Sequence, residues 1–261
     1  GKRSVKCPAS YGPIESETDR VAARYSAGHI FDVVCARERE SERQMREVAG
    51  VLKPMMVSPD MANLMPYRPA GEGRDGLVVG ISVSHQILRQ WQSGEGYIDC
   101  LAHLIRHIRE RHGCRVQLSP NEIHPHCSYQ DGHVARDLLG AVAGVPGVGV
   151  LDVAELNSTQ VKAEIGRCEV MVASRYHSCV AALSAGVPTL VVGWHNKYEE
   201  LMQLYGQGEW ILSSENCTTG KLIERFDALW ANRGRERAVI RERYGAVREQ
   251  VLAAGRRMFP G

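Results

Sequence analysis

The chain has 261 residues, 44% hydrophobic and 24% charged, with a formal charge of +2. This ordinary globular balance excludes a disordered, collagenous or coiled-coil chain as an overall description. The near-neutral charge speaks against a strongly basic nucleic-acid binder, and no run of ~18 apolar residues could form a transmembrane helix. Eight scattered cysteines, none in a Cys-x-x-Cys pair, read as reduced thiols, which gives the expectation of a cytoplasmic protein without disulfides.

In chain order, residues 4–10 read as a short strand entering a turn at Tyr11-Gly12-Pro13, and 15–28 as a helix capped by Ser16 or Thr18. Ile30–Ala36 is a β-branched strand, Glu40–Ala49 a polar helix and Met55–Val57 a brief strand. Residues 66–76, with two prolines and three glycines, read as a linker and domain boundary. Beyond it strands and helices alternate. Strands are expected at 77–83, 115–118, 148–153, 169–173, 188–192 and 210–212. Helices are expected at 97–111, 132–142, 158–166 (capped by Ser158), 177–185 and 198–205. Two last helices are read, 219–230 and 235–257. This alternation implies βαβ units in a doubly wound parallel sheet, whose ligands bind beyond the carboxyl ends of the strands.

That rule directs attention to Ser174-Arg175-Tyr176-His177-Ser178, at the end of one strand and the start of a helix. A helix amino end attracts phosphate or carboxylate, Arg175 can add a bidentate clamp, and His177 can face the same space. The alternative is a capping Ser174 and a packed His177. One α/β unit later, His195-Asn196-Lys197 reaches the same sheet edge, and Lys197 is either a ligand group or a solvated first-turn lysine.

The stretch Ser174–Ser178, a small-residue helix closing Gly186-Val187-Pro188, and His195-Asn196-Lys197 together resemble the polysaccharide pyruvyl transferase family. Ser10-Tyr11-Gly12-Pro13 resembles its Ser-x-Gly-Pro turn. Arg37-Glu38-Arg39-Glu40-Ser41 resembles its Arg-Asp-x-x-Ser element, with Glu38 for the acid, and Ser58-Pro59-Asp60 its Pro-Asp turn. The resemblance implies a glycosyltransferase-B-like architecture of two Rossmann-like lobes with a cleft between them. Residues 1–65 are then the rear part of a longer N-terminal lobe, and 77–261 a complete C-terminal lobe. It implies phosphoenolpyruvate as donor, no cofactor or metal, and a sugar or lipid-linked saccharide as acceptor, giving a pyruvate ketal. It further implies catalytic positions at His177, Arg37 and Lys197. The donor set would be Ser174, Arg175, Ser178, Lys197 and Arg37. A histidine with an ordinary pKa near neutrality suits proton transfer, and lysine and arginine suit a departing phosphate. The rival readings are a nucleotide-sugar glycosyltransferase of similar fold and a non-catalytic sugar- or partner-binding module.

Ser10, Ser82, His85, Asp131 and His195 are candidate lining residues, with Ser84 beside them. His124, His126, Cys127 and His133 match no standard zinc spacing and read as a polar loop. His103 and His107, and the run Glu38, Glu40 and Glu42, read as solvated faces. From Arg233 to Gly261 the chain carries eight arginines and three glutamates around a stripe of Val239, Ile240, Tyr244, Val247 and Val251. That segment is either a basic surface helix in peripheral contact with the inner face of a membrane or a helix that buries its stripe. We take the second.

Overall fold

The computed structural model describes residues 3–67, 76–122, 130–193 and 196–260. Most of the linker, the His124–Cys127 loop and His195 lie outside these residues. The chain forms two compact units. One comprises residues 1–65 with 245–261, the other 66–244.

The first unit has a three-stranded parallel sheet, β1 (Val5–Ala9), β2 (Val33–Ala36) and β3 (Met56–Val57), in that order. Helix α1 (Glu17–Tyr25) starts at a capping box in which Ser16 and Asp19 exchange bonds, one of the two caps the sequence offers. All four residues of β2 are buried, and their alternation serves two faces. Val34 packs with Ala27, Met45, Ala49 and Val51. Val33 and Cys35 pack with Ala254 and Met258 from the end of the last helix. Residues 245–261 therefore belong with the first unit by their contacts, whereas the sequence reading puts them in the second lobe.

The second unit has a six-stranded parallel sheet in the order β6-β5-β4-β7-β8-β9. The strands are β4 (Val78–Ser82), β5 (Arg115–Leu118), β6 (Val148–Val150), β7 (Val170–Ala173), β8 (Thr189–Gly193) and β9 (Ile211–Ser213). Buried runs such as Val170–Ala173 and Thr189–Gly193 suit strands covered on both faces. The chain moves outward from β4 through β5 to β6, then returns to pair β7 with the other side of β4. The order reverses between β4 and β7, and their paired last residues, Ser82 and Ala173, mark the switch point.

The helices of this unit are α3 (His85–Gln90), α4 (Tyr97–His107), α5 (Asp131–Ala141), α6 (Ser158–Ile165), α7 (Tyr176–Ser184) and α8 (Asn196–Leu204). In the first unit, α2 (Arg39–Arg43) follows β2. Three details differ from the sequence reading. The six-residue α3, capped by Ser84, is an addition. Helix α6 is capped by Asn157 and not by Ser158, because the Asn157 side chain accepts from Gln160 N–H at 3.0 Å while Gln160 reaches back. The two last helices are one, α9 (Thr219–Met258), of 40 residues. Its buried stripe contains Ile240, Val247, Val251, Ala254 and Met258.

Candidate functional site

At the switch point, β7 ends at Ala173 and α7 opens at Tyr176, with Arg175 in extended conformation at the cap position and no side-chain cap bond. Buried hydroxyls fix this turn. Tyr97 donates to Ser174 Oγ at 2.9 Å and accepts from Ser84 N–H at 3.2 Å. Tyr198 donates to the Ser174 carbonyl at 3.1 Å, and Ser82 Oγ donates to Ser178 Oγ at 2.8 Å. Burial pushes the Tyr97 hydroxyl far above its ordinary pKa, so it stays a proton donor. Ser82, Ser174 and Ser178 are thus buried and engaged within the protein.

His177 stands exposed in the first turn of α7. Its ring meets Tyr176 edge-on at 5.7 Å, and Tyr176 in turn packs against Tyr198 at 6.1 Å. Lys197, half-buried in the first turn of α8, holds its Nζ 5.5 Å from the Tyr198 ring centroid. The aromatic series Tyr176–Tyr198 therefore brings the first turns of α7 and α8 side by side, as the one-unit spacing of His177 and Lys197 predicts.

Arg175 is committed differently from the sequence reading. Its Nε and Nη2 donate to the two oxygens of Asp131 at 2.8 and 2.6 Å, and Nη2 also lies 2.6 Å from Glu122. Burial alone would lower the arginine's pKa, but the bonds and charges of Asp131 and Glu122 outweigh it and raise it further. Asp131, proposed from sequence as a lining residue open to donor or acceptor, is fully buried. Besides Arg175 it accepts from the backbone N–H groups of His85 at 2.9 Å, Glu122 at 2.9 Å and Asn121 at 3.3 Å. It is the fastener that joins the loops after β4, β5 and β7. His85 enters this arrangement through its backbone and is half-buried.

The first unit has its own polar cluster at the carboxyl ends of its strands. Ser10 follows β1, Arg37 and Glu38 follow β2, and Ser58-Pro59-Asp60 follows β3. Arg37 donates to Glu38 Oε1 at 2.8 Å, Asp60 Oδ2 at 2.7 Å and Ser10 Oγ at 2.6 Å. Ser10 and Ser41 each donate to Glu38, at 2.6 and 2.7 Å, and Ser41 Oγ accepts from Tyr11 N–H at 2.8 Å. Glu38 is 4% exposed, so it is not part of a solvated face as its sequence run suggests. Burial pushes its carboxyl up, but the bonds from Ser10, Arg37 and Ser41 prevail and hold it below the usual range. Three short motifs far apart in sequence thus close into one network.

Sequence reasoning passes over Tyr97 and Tyr198, whose hydroxyls hold the Ser174 turn. Both read simply as helix starts, and only strand order reveals that they meet. It also passes over the meeting of His107, His112 and Asp227.

Among curated proteins, no sequence matches this chain. Solved structures do. Alr3699/HepE from Anabaena, in complex with UDP-glucose, is similar with a TM-score of 0.62 and 13% identity over 98% of this chain and 71% of that one. A putative UDP-N-acetylglucosamine 2-epimerase from Listeria monocytogenes gives 0.65 and 12% over 98% and 68%. A Thermobaculum terrenum O-GlcNAc transferase mutant gives 0.49 and 16%, covering 74% of this chain, which spans 37% of that protein's length. At such identities the likeness is one of fold, and the fold is glycosyltransferase-B-like, built from α/β units with parallel sheets. The family model for polysaccharide pyruvyl transferase matches residues 1–196, most of the chain, including the first unit's polar cluster and residues 174–178, and the chain belongs to that family.

Proposed function

We propose that the protein transfers the pyruvyl group of phosphoenolpyruvate to two hydroxyls of a sugar in a polysaccharide or glycan precursor, with His177 as general acid/base. The observation that carries this reading is the setting of His177. It is exposed at the amino end of α7, at the carboxyl edge of β7, on a turn held rigid by Tyr97, Tyr198 and Ser82.

In this reaction the methylene carbon of the donor gains a proton, and C2 gains a bond to one sugar oxygen as that hydroxyl loses its proton. The C2–O bond to phosphate then breaks, and the second hydroxyl closes the ketal with loss of its proton. The net change is phosphoenolpyruvate plus diol to ketal plus phosphate. An imidazole with an accessible ring can deliver and collect these protons. Lys197 and the amino end of α7 supply positive charge for the phosphate. Arg175 is a positioning residue, because its fork is spent on Asp131. Arg37 is likewise positioning, since Glu38 and Asp60 compensate its charge and its bonds gather the loops after β1, β2 and β3. A reducing cytoplasmic setting is part of the proposal and rests on the scattered spacing of the eight cysteines.

The rival that a specific observation favours is a nucleotide-sugar glycosyltransferase, because HepE binds UDP-glucose on a similar fold. The same helix end would take a diphosphate.

The test is ketal formation from phosphoenolpyruvate by wild type, His177→Ala and His177→Gln. Both variants are expected to lose about 10²–10⁴-fold in turnover, a usual range for one general acid/base, and to keep the wild-type melting midpoint, since the side chain is exposed. Full activity in either variant would remove His177 from the reaction.

A further inference from the structure

We propose that His107, His112 and Asp227 form a binding site for a divalent transition-metal ion of the Zn²⁺ class, and that the ion clasps α4 to α9. His107 ends α4, and the chain continues through a π-helical turn from Ile108 to His112. Residues five apart on an ordinary α-helix diverge by about 140° around the axis. The wider turn brings the two imidazoles to one side, 5.6 Å apart between ring centroids. Both Nε2 atoms face the same carboxylate of α9, His107 at 2.9 and 3.0 Å from its two oxygens and His112 at 2.8 Å. The three ligand atoms lie within 4.8 Å of one another.

Two neutral imidazoles and one carboxylate are borderline donors of the kind zinc takes from three protein residues, with a fourth position left to water. At tetrahedral angles and bonds of about 2.0–2.1 Å, the ligand atoms would sit about 3.3 Å apart. The hydrogen-bonded contacts need open by only a few tenths of an ångström. The rings are also held in place. His112 packs at 5.0 Å from Trp230 and 5.6 Å from Phe226, and its side chain is only 13% exposed. Asp227 is 40% exposed, which leaves the open position toward solvent. The cation Arg233, further along α9, is turned onto the Trp230 face at 4.2 Å and toward Glu169. His112 leads into the amino end of β5, the edge of the sheet opposite His177, so the ion serves structure and not the transfer reaction.

The full chain, freed of metal with a chelator, is titrated with Zn²⁺ and with Co²⁺. The proposal expects one saturable ion per chain, a raised melting midpoint and a Co²⁺ spectrum without a thiolate charge-transfer band. His112→Gln and Asp227→Asn should each weaken binding at least tenfold while melting like the metal-free wild type. In imidazole ¹⁵N spectra of the wild type, two of the ten histidines should shift on adding Zn²⁺. That readout keeps the proposal testable if the variants fold poorly. Absence of saturable binding, a thiolate band, or binding unaffected by both substitutions would overturn it.

Discussion

Lys162 sits on α6 only 2% exposed, with its Nζ 5.6 Å from the centre of the Tyr67 ring. Burial lowers its pKa from 10.5 to about 8. Folding is then penalised below about pH 8, where the ammonium must stay charged in a poorly hydrated place. Between pH 8 and 10.5 the folded chain has shed a proton that the unfolded chain keeps, and the penalty is relieved as pH rises. The penalty is on the order of 3 kcal/mol, partly offset by the Tyr67 contact. Lys162→Met is therefore expected to stabilise the protein by about 1–3 kcal/mol at pH 7, with a gain that shrinks toward pH 10.5. Urea unfolding of both proteins across that range measures it, and a pH-independent difference would contradict it. Arg175 and Asp131 are a buried ion pair joined by two hydrogen bonds. Breaking such a pair by removing one side typically costs about 3–5 kcal/mol. The sequence places both residues at the correct sheet edge, but nothing local says that they face each other, since Asp131 lies 44 residues upstream. The reading of Arg175 as a free clamp fails for that reason, as does the solvated reading of Glu38.

Helix α9 marks the limit of local pattern at the scale of elements. Arg233-Gly234-Arg235 looks like a break between two helices, because glycine costs about 1 kcal/mol relative to alanine in a helix interior. The helix continues because burial on both sides exceeds that cost: Phe226 and Leu229 before the glycine, Ile240, Val247 and Val251 after it. A Cβ added at Gly234 meets nothing within 4 Å. Gly234→Ala is accordingly expected to raise stability by about 0.5–1 kcal/mol. A denaturant midpoint equal to or below the wild type would show the position to be strained. The strands were easier to read, since compact apolar runs such as Val170–Ala173 and Thr189–Gly193 have few other uses. Short α3 was hidden because six residues carry too little periodicity to separate a helix from a loop.

At the scale of the whole molecule, alternating elements and the rule of ligands at carboxyl edges single out residues 174–178 and 197 as candidates. Strand order then sharpens the location, since β4 and β7 pair at the reversal and Ser82 and Ala173 end that pair. The motifs of the first unit could be named in sequence but not joined. Their closure on Arg37, which bonds to Ser10, Glu38 and Asp60, depends on the side-by-side packing of β1, β2 and β3. No helix among the described residues is long and apolar enough to cross a membrane. The chain belongs to the polysaccharide pyruvyl transferase family, and the chemistry proposed for it is directly measurable. Candidate sugar and lipid-linked saccharide acceptors are incubated with the protein and either phosphoenolpyruvate or UDP-sugars, and the products are weighed by mass spectrometry. The account predicts a product heavier by one pyruvyl ketal with phosphoenolpyruvate alone, one phosphate released per product, and no glycosyl gain with UDP-sugars. Glycosyl transfer from a UDP-sugar with no ketal formed from phosphoenolpyruvate would contradict it.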